Sequence, residues 1–166
     1  MALNVNRVTL GFNYKNYDTA YFSRVAKACP VSSTALVDGS FLICKAGGLA
    51  WFAAPASTQI NSQWANGQYN TTTVGDKCCI SEWGTLSTIL SNAGYTPTEW
   101  FVPTQAQLQN PGYVCRTNWG SSLVPYWSST DAGGCCAGTV CFQSGTNGLN
   151  FKCALTPVRA FRCVTY

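Results

Sequence analysis

The chain has 166 residues, a length typical of one domain; 46% of them are hydrophobic and only 10% are charged. This composition excludes an intrinsically disordered chain, which needs low hydrophobicity and high charge. The net charge of +4 is spread thinly from Arg7 to Arg162. It therefore lacks the concentrated basic surface that nucleic-acid binding requires, and no nucleic-acid partner is expected.

The first 37 residues are predicted to form an N-terminal arm or docking segment. Residues 1–17 alternate apolar and polar side chains, as an extended segment does. Asp18 or Thr19 can cap a short helix that ends at Pro30. One face of that helix would carry four apolar residues: Tyr21, Phe22, Val25 and Ala26.

After residue 38 the sequence predicts a hairpin and then a long loop. Two apolar runs flank Gly47-Gly48, so residues 41–53 are expected to form two antiparallel strands. Residues 55–77 are rich in Asn, Gln, Ser and Thr. Such a polar segment predicts an exposed loop, and loops of this kind often carry binding residues.

Two helices are predicted in the middle of the chain. The first would begin at Ser81 and end at Gly94, a residue type that commonly follows a helix. Thr104 and Gln107 have the spacing of a capping box, which predicts the start of a second, short helix. A second polar loop would follow at residues 110–123.

The C-terminal part predicts β-structure. Apolar and polar residues alternate at 139–144, and Gly145–Gly148 is a turn signal that would lead into a strand at 149–153. A last strand is expected at 158–164. Taken together, these elements predict an α+β domain with short antiparallel strands, two or three short helices and long loops.

The chain has ten cysteines and no histidine, a composition that favours disulfides and an oxidising final environment. The Cys-x-x-Cys spacing of zinc sites is absent, so no metal and no other cofactor is expected. Adjacent cysteines rarely bond each other; the pairs Cys78-Cys79 and Cys135-Cys136 are therefore expected to connect long loops to the C-terminal hairpin. Free, buried thiols are the alternative. The candidate disulfide cysteines are Cys29, Cys44, Cys78, Cys79, Cys115, Cys135, Cys136, Cys141, Cys153 and Cys163.

Neither a signal peptide nor a membrane-spanning segment is expected. The N-terminal residues lack a continuous apolar core, and no stretch reaches the roughly 18 apolar residues that cross a bilayer. A cysteine-rich chain without an export signal fits a virus-particle protein, which is made in the host cytoplasm and meets oxidising water after lysis.

Five motifs between residues 38 and 164 occur in the order found in a known family. They are Asp38-Gly39, Ala53-Ala54-Pro55, Glu99–Thr104, Tyr126–Thr130 and Pro157-Val158-Arg159. In this order the chain resembles the bacterial and phage C-type-lectin-like domains of the Legionella collagen-like C-terminal type, which are related in fold to phage tropism determinants.

The resemblance implies a C-type-lectin-like domain at 38–166, preceded by the arm at 1–37. Arg159 would be a half-buried structural arginine paired with Glu99 or Asp131. The calcium-binding triplets of sugar-binding C-type lectins are absent, so calcium-dependent sugar binding is not expected. The structural signature of the fold would be carried by Trp100, Pro103, Thr104, Trp127, Ser128, Ser129, Thr130 and Arg159.

These observations favour a non-enzymatic function, because nucleophile-plus-base catalysis usually relies on the histidine that this chain lacks. The leading hypothesis is a protein of the virion surface, a phage capsid decoration or cement protein that binds other virion proteins and forms a homo-oligomer.

Two alternatives involve a ligand. One is a phage tail or fibre adhesin that recognises a glycan or protein of the host surface. The other is a bacterial carbohydrate-binding module that is secreted or held at the cell surface. Aromatic residues and arginine dominate contact sites, although a core or subunit-interface position is the competing interpretation for the two tryptophans. The contact candidates are Trp64, Tyr69, Tyr113, Arg116 and Trp119.

Overall fold

The computed structural model describes residues 17–64 and 81–166. Within these ranges the chain is an α+β protein with three short helices and three small antiparallel sheets, as the sequence predicts. The helices are α1 (Thr19–Ala28), α2 (Trp83–Asn92) and α3 (Gln105–Gln107). The strands are β1 (Phe41–Ala46), β2 (Leu49–Ala53), β3 (Ile60–Ser62), β4 (Pro125–Asp131), β5 (Cys136–Cys141), β6 (Thr146–Phe151), β7 (Thr156–Val158) and β8 (Phe161–Thr165).

The sheets are ordered β1-β2-β8, β3-β7 and β4-β5-β6. The predicted hairpin at 41–53 is confirmed by β1 and β2, which pair from Phe41 opposite Ala53 to Ala46 opposite Leu49. Strand β8 pairs with β2 along its whole length. The end of the chain therefore lies beside the first hairpin.

Helix α1 begins where the sequence predicts and packs into the main core. The carboxylate of Asp18 accepts a hydrogen bond from the backbone N–H of Tyr21 at 3.0 Å, which caps the helix. The buried ring of Phe22 lies 4.8 Å from that of Phe52 and 5.6 Å from that of Trp100. Helix α1 thus shares its core with residues after position 38, whereas residues 1–16 lie outside the described part of the chain.

The two later helices form where the sequence predicts, although the first is shorter than expected, from Trp83 to Asn92 rather than from Ser81 to Gly94. Helix α2 buries Leu86 and Leu90, and Gly94 follows it with a left-handed φ of 93°. At the start of α3, the Thr104 hydroxyl accepts from the N–H of Gln107 at 3.1 Å. The Gln107 side chain in turn accepts from the N–H of Thr104 at 2.9 Å, which completes the capping box.

Two predictions about the C-terminal strands are wrong. The turn lies at residues 142–145, three residues earlier than expected, because the N–H of Gly145 closes it on the carbonyl of Cys141 at 2.7 Å and Gly145 has a φ of 77°. The expected last strand at 158–164 is divided into β7 and β8. These strands belong to different sheets, because β7 pairs with β3 and β8 pairs with β2.

Candidate interaction surface

Two of the predicted contact residues are core residues. Trp64 and Trp119 are both 0% exposed. The indole N–H of Trp64 donates to the carbonyl of Ser128 at 2.8 Å, and that of Trp119 donates to the carbonyl of Gly112 at 2.9 Å. Their apolar and polar atoms are thus both satisfied inside the fold, so the contact role expected for them is replaced by a core role.

Tyr113 and Arg116 lie together at the surface. The Arg116 guanidinium stacks 4.0 Å from the centre of the Tyr113 ring and donates to the Tyr113 carbonyl at 3.0 Å. The Tyr113 ring also packs edge-on against the buried ring of Phe142, with 5.6 Å between the two ring centres. Both residues are half-buried, and Val114 between them is 62% exposed. The fifth contact candidate, Tyr69, lies outside the described residues.

The Trp-Ser-Ser-Thr motif at residues 127–130 joins strand β4 to the segment around β3 by hydrogen bonds. The indole N–H of Trp127 donates to the carbonyl of Ser62 at 2.7 Å, while Trp64 donates back to the carbonyl of Ser128. The hydroxyl of Ser128 donates to the carbonyl of Gly138 on β5 at 2.7 Å. These residues lie in a strand whose pairing with β5 shifts register between Trp127 and Asp131.

The same motif holds the start of helix α3. The hydroxyl of Thr130 accepts from the N–H of Gln105 at 2.9 Å, and the N–H of Ser129 donates to the carbonyl of buried Pro103 at 2.9 Å. The Gln105 amide then donates to two β-sheet carbonyls, those of Thr139 and Gly148. Thr130 and Ser129 thus connect the start of helix α3 to β4, and the Gln105 side chain connects it to β5 and β6.

Arg159 is buried more deeply than expected, at 2% exposure rather than half-buried, and its predicted acceptors are wrong. Its Nε donates to the carbonyl of Ala54 at 2.6 Å, and an Nη atom donates to the carbonyl of Trp119 at 3.2 Å. Burial lowers the pKa of Arg159 to about 10. The acidic residues expected beside it, Glu99 and Asp131, have other cationic partners.

Those partners are Arg162 and Lys152. Glu99 pairs with Arg162 at 2.5 Å, and Asp131 pairs with Lys152 at 2.9 Å. The Lys152 side chain is 0% exposed, whereas that of Asp131 is 16% exposed. Desolvation acts to raise the pKa of Asp131, but the hydrogen bonds from Lys152 and from the Gly133 N–H outweigh it and lower that pKa.

A third carboxylate ties helix α1 to the start of β1. Asp38 accepts a hydrogen bond from each of the hydroxyls of Tyr21 and Tyr95, both at 2.7 Å. Burial is the largest cause of the raised pKa of both tyrosines, and the Asp38 charge adds to it. The two hydroxyls therefore remain protonated donors to the carboxylate.

The described cysteine sulfurs form no disulfide in this structure. Cys78 and Cys79 lie outside the described residues, so the expected loop-to-hairpin disulfides stay a prediction. The sulfurs of Cys135 and Cys136 are 3.2 Å apart. Elsewhere, burial and the neighbouring Cys44 thiol raise the pKa of Cys115 to about 11.

An apolar surface that the sequence patterns do not reveal lies along β6 and the turn after it. Leu149, Phe151 and Leu155 are 64%, 56% and 71% exposed, and we call these three residues the β6 surface. Among the described residues, β6 is an edge strand, paired only with β5. The sequence places no charged residue between Asp131 and Lys152. Edge strands are usually protected by charge, proline or a covering segment, so an uncharged apolar edge indicates a contact surface.

No model of a protein family matches the chain, and no curated protein matches it. Within residues 17–64 and 81–166, no three or more histidine, cysteine or acidic side chains group in a way that could hold a metal ion. In the same ranges, no helix has the length and apolar character needed to cross a membrane.

Proposed function

We propose that this chain is a non-enzymatic structural protein of a virus particle, a phage capsid decoration or cement protein whose residues 38–166 form a C-type-lectin-like domain. The observation that carries this proposal is the β6 surface. Burying one large apolar side chain is worth about 1.5–3 kcal/mol. A partner subunit or capsid protein that covers Leu149 and Phe151, which are 64% and 56% exposed, would gain about 2–4 kcal/mol from the two together.

The lectin-like fold is supported by the roles of its signature residues. Trp127 and Ser128 connect β4 to neighbouring segments through their side chains, and Trp100 is fully buried in the core. Arg159 bonds two backbone carbonyls from distant parts of the chain. Each motif that resembles the family therefore performs a structural task, as a rigid scaffold for surface contacts requires.

The proposal is tested by binding the purified protein to phage particles that lack it and counting the bound copies. The variant L149K/F151K places two charges on the β6 surface and is expected to reduce bound copies at least about tenfold, since 1.4 kcal/mol corresponds to that factor. Val37→Lys is the matched control, because Val37 is an apolar residue 91% exposed on another part of the chain. Equal loss in both variants, or no loss in L149K/F151K, would contradict the proposal.

The stacked pair of Tyr113 and Arg116 favours a second candidate, the receptor-binding adhesin. An aromatic ring and a guanidinium held beside an exposed Val114 are the residue types that dominate contact sites. Binding to an array of host glycans, lost in the variant R116A and retained in L149K/F151K, would support this candidate over the cement protein.

A further inference from the structure

Cys135 and Cys136 form a pair of adjacent thiols beside the β6 surface. Their sulfurs are 3.2 Å apart, within hydrogen-bonding contact, and both side chains are half-buried. Successive side chains of a regular strand point to opposite faces. Two neighbouring sulfurs can therefore meet only where the backbone departs from strand geometry, as it does where β5 begins.

The turn before β5 supplies that departure. Gly133 and Gly134 have left-handed φ values of 82° and 53°, which residues with a Cβ rarely adopt. The N–H of Cys136 donates to the carbonyl of Gly133 at 3.2 Å, and the carbonyl of Cys135 accepts from the N–H of Lys152 at 2.8 Å. Backbone hydrogen bonds on both sides thus hold the two thiols together.

We propose that Cys135 and Cys136 are an oxidation site that closes into a disulfide between the two adjacent residues, in preference to bonds with distant cysteines. The sulfur–sulfur contact is the reason. Adjacent cysteines rarely bond each other, but these two sulfurs are already 3.2 Å apart, so a local adjustment of the turn brings them to the disulfide bond length of about 2.05 Å. Cys136 also lies directly opposite Phe151 in the β5–β6 ladder. Oxidation or reduction of this cysteine pair would therefore take place directly beside the β6 surface.

The oxidant is a small disulfide such as oxidised glutathione. One cysteine thiolate attacks a glutathione sulfur, forms a mixed disulfide and releases the first glutathione as a thiol. The thiolate of the neighbouring cysteine then attacks the mixed disulfide and releases the second glutathione. The protein loses two electrons and two protons, and the glutathione disulfide takes up both pairs to leave as two glutathione thiols.

The test uses the full chain, reduced and then treated with oxidised glutathione, after which the remaining thiols are alkylated. Trypsin releases residues 117–152 as one fragment, because no lysine or arginine lies between Arg116 and Lys152. This fragment contains Cys135, Cys136 and Cys141. We expect it to lose two hydrogen atoms and to carry a single alkyl group on Cys141.

The variant C141S is expected to show the same loss of two hydrogen atoms, which separates a bond between the adjacent pair from a bond to Cys141. A fragment that stays fully reduced, retains glutathione, or is linked to another cysteine-containing fragment would overturn the proposal.

A second readout uses an immobilised trivalent arsenical, which binds two close thiols at once. Because Cys78 and Cys79 are another adjacent pair and the Cys44 thiol lies against that of Cys115, the measurement is made in the C44S/C78S/C79S background. Capture is expected in that background, lost on adding C135S or C136S, and retained on adding C163S as a matched control. Capture that survives C135S would overturn the assignment.

Discussion

The Asp131–Lys152 ion pair gives the sharpest stability prediction. The Lys152 ammonium is fully buried, lies 2.9 Å from the Asp131 carboxylate and lies 4.8 Å from the centre of the Trp64 ring. Replacing Asp131 by asparagine removes the opposite charge and leaves the ammonium in the core. Breaking a buried pair in this way costs about 3–5 kcal/mol. The partial exposure of Asp131 and the indole contact favour the low end, about 3 kcal/mol.

The matched variant is Lys152→Met, which removes the buried charge while keeping an apolar side chain of similar length. The carboxylate that K152M leaves behind is 16% exposed and still accepts a hydrogen bond from the Gly133 N–H, so K152M is expected to cost about 1 kcal/mol, less than D131N. The double variant D131N/K152M should resemble K152M, since neither contains the buried ammonium. Asp131 and Lys152 would then show a strong coupling free energy in a double-mutant cycle.

The assay is urea unfolding with a thermal melt as a second measurement. For a chain of this length, a loss of about 3 kcal/mol corresponds to a fall in Tm of about 6–12 °C. The reasoning is refuted if D131N changes the free energy of unfolding by less than about 0.5 kcal/mol, or if K152M is as damaging as D131N.

Three further predictions concern the turn, the tyrosine contact and acid. Gly145→Ala should lower the free energy of unfolding by more than about 2 kcal/mol, because Gly145 has a left-handed φ and the new Cβ would collide with the Tyr113 ring. The control Gly47→Ala also has a left-handed φ but meets no neighbour, so it should cost only about 1 kcal/mol. Equal urea midpoints for the two variants would count against this prediction. Tyr95→Phe removes a hydrogen bond to the Asp38 carboxylate and should cost about 2 kcal/mol in the same assay, whereas an unchanged midpoint would show that the bond is not stabilising. Because the pKa of Asp131 is lowered in the folded state, the Asp131 carboxylate stabilises the fold at pH values above its unfolded pKa of about 4, and this contribution is lost as pH falls through the folded pKa. D131N should therefore show a smaller loss of stability on acidification than the unmodified protein. The same loss in both proteins would contradict the role given to Asp131.

Local patterns predicted the elements that local interactions define. The cap at Asp18, the capping box of Thr104 and Gln107, and the hairpin around Gly47-Gly48 each depend on residues a few positions apart. Such signals are complete within a short window of sequence. They are also the elements whose predicted positions the structure reproduces.

Long-range pairing explains the predictions that were wrong. The last strand is divided because its two halves pair with β3 and β2, which lie about a hundred residues earlier. Arg159 was assigned a carboxylate partner because a buried arginine needs an acceptor, yet backbone carbonyls of Ala54 and Trp119 satisfy it. The β6 surface escaped notice because alternation alone does not say which face of an edge strand is covered.

The predicted tryptophan contacts show a related limit. Trp64 lies inside the polar stretch at 55–77, a position that favours exposure, but its indole reaches the carbonyl of Ser128 across the fold. A tryptophan beside polar residues can be exposed for binding or buried with one hydrogen bond. The neighbouring sequence is the same in both cases, so only the tertiary partner distinguishes them.

The most direct test of the proposed function is the number of copies of this chain in purified virus particles, measured by quantitative mass spectrometry against a major capsid protein. A cement protein is expected at a fixed stoichiometry to the capsid protein, comparable to the number of capsid subunits or capsomers. A few copies per particle would indicate the tail or fibre adhesin instead, and complete absence from the particles would contradict a structural role in the virion.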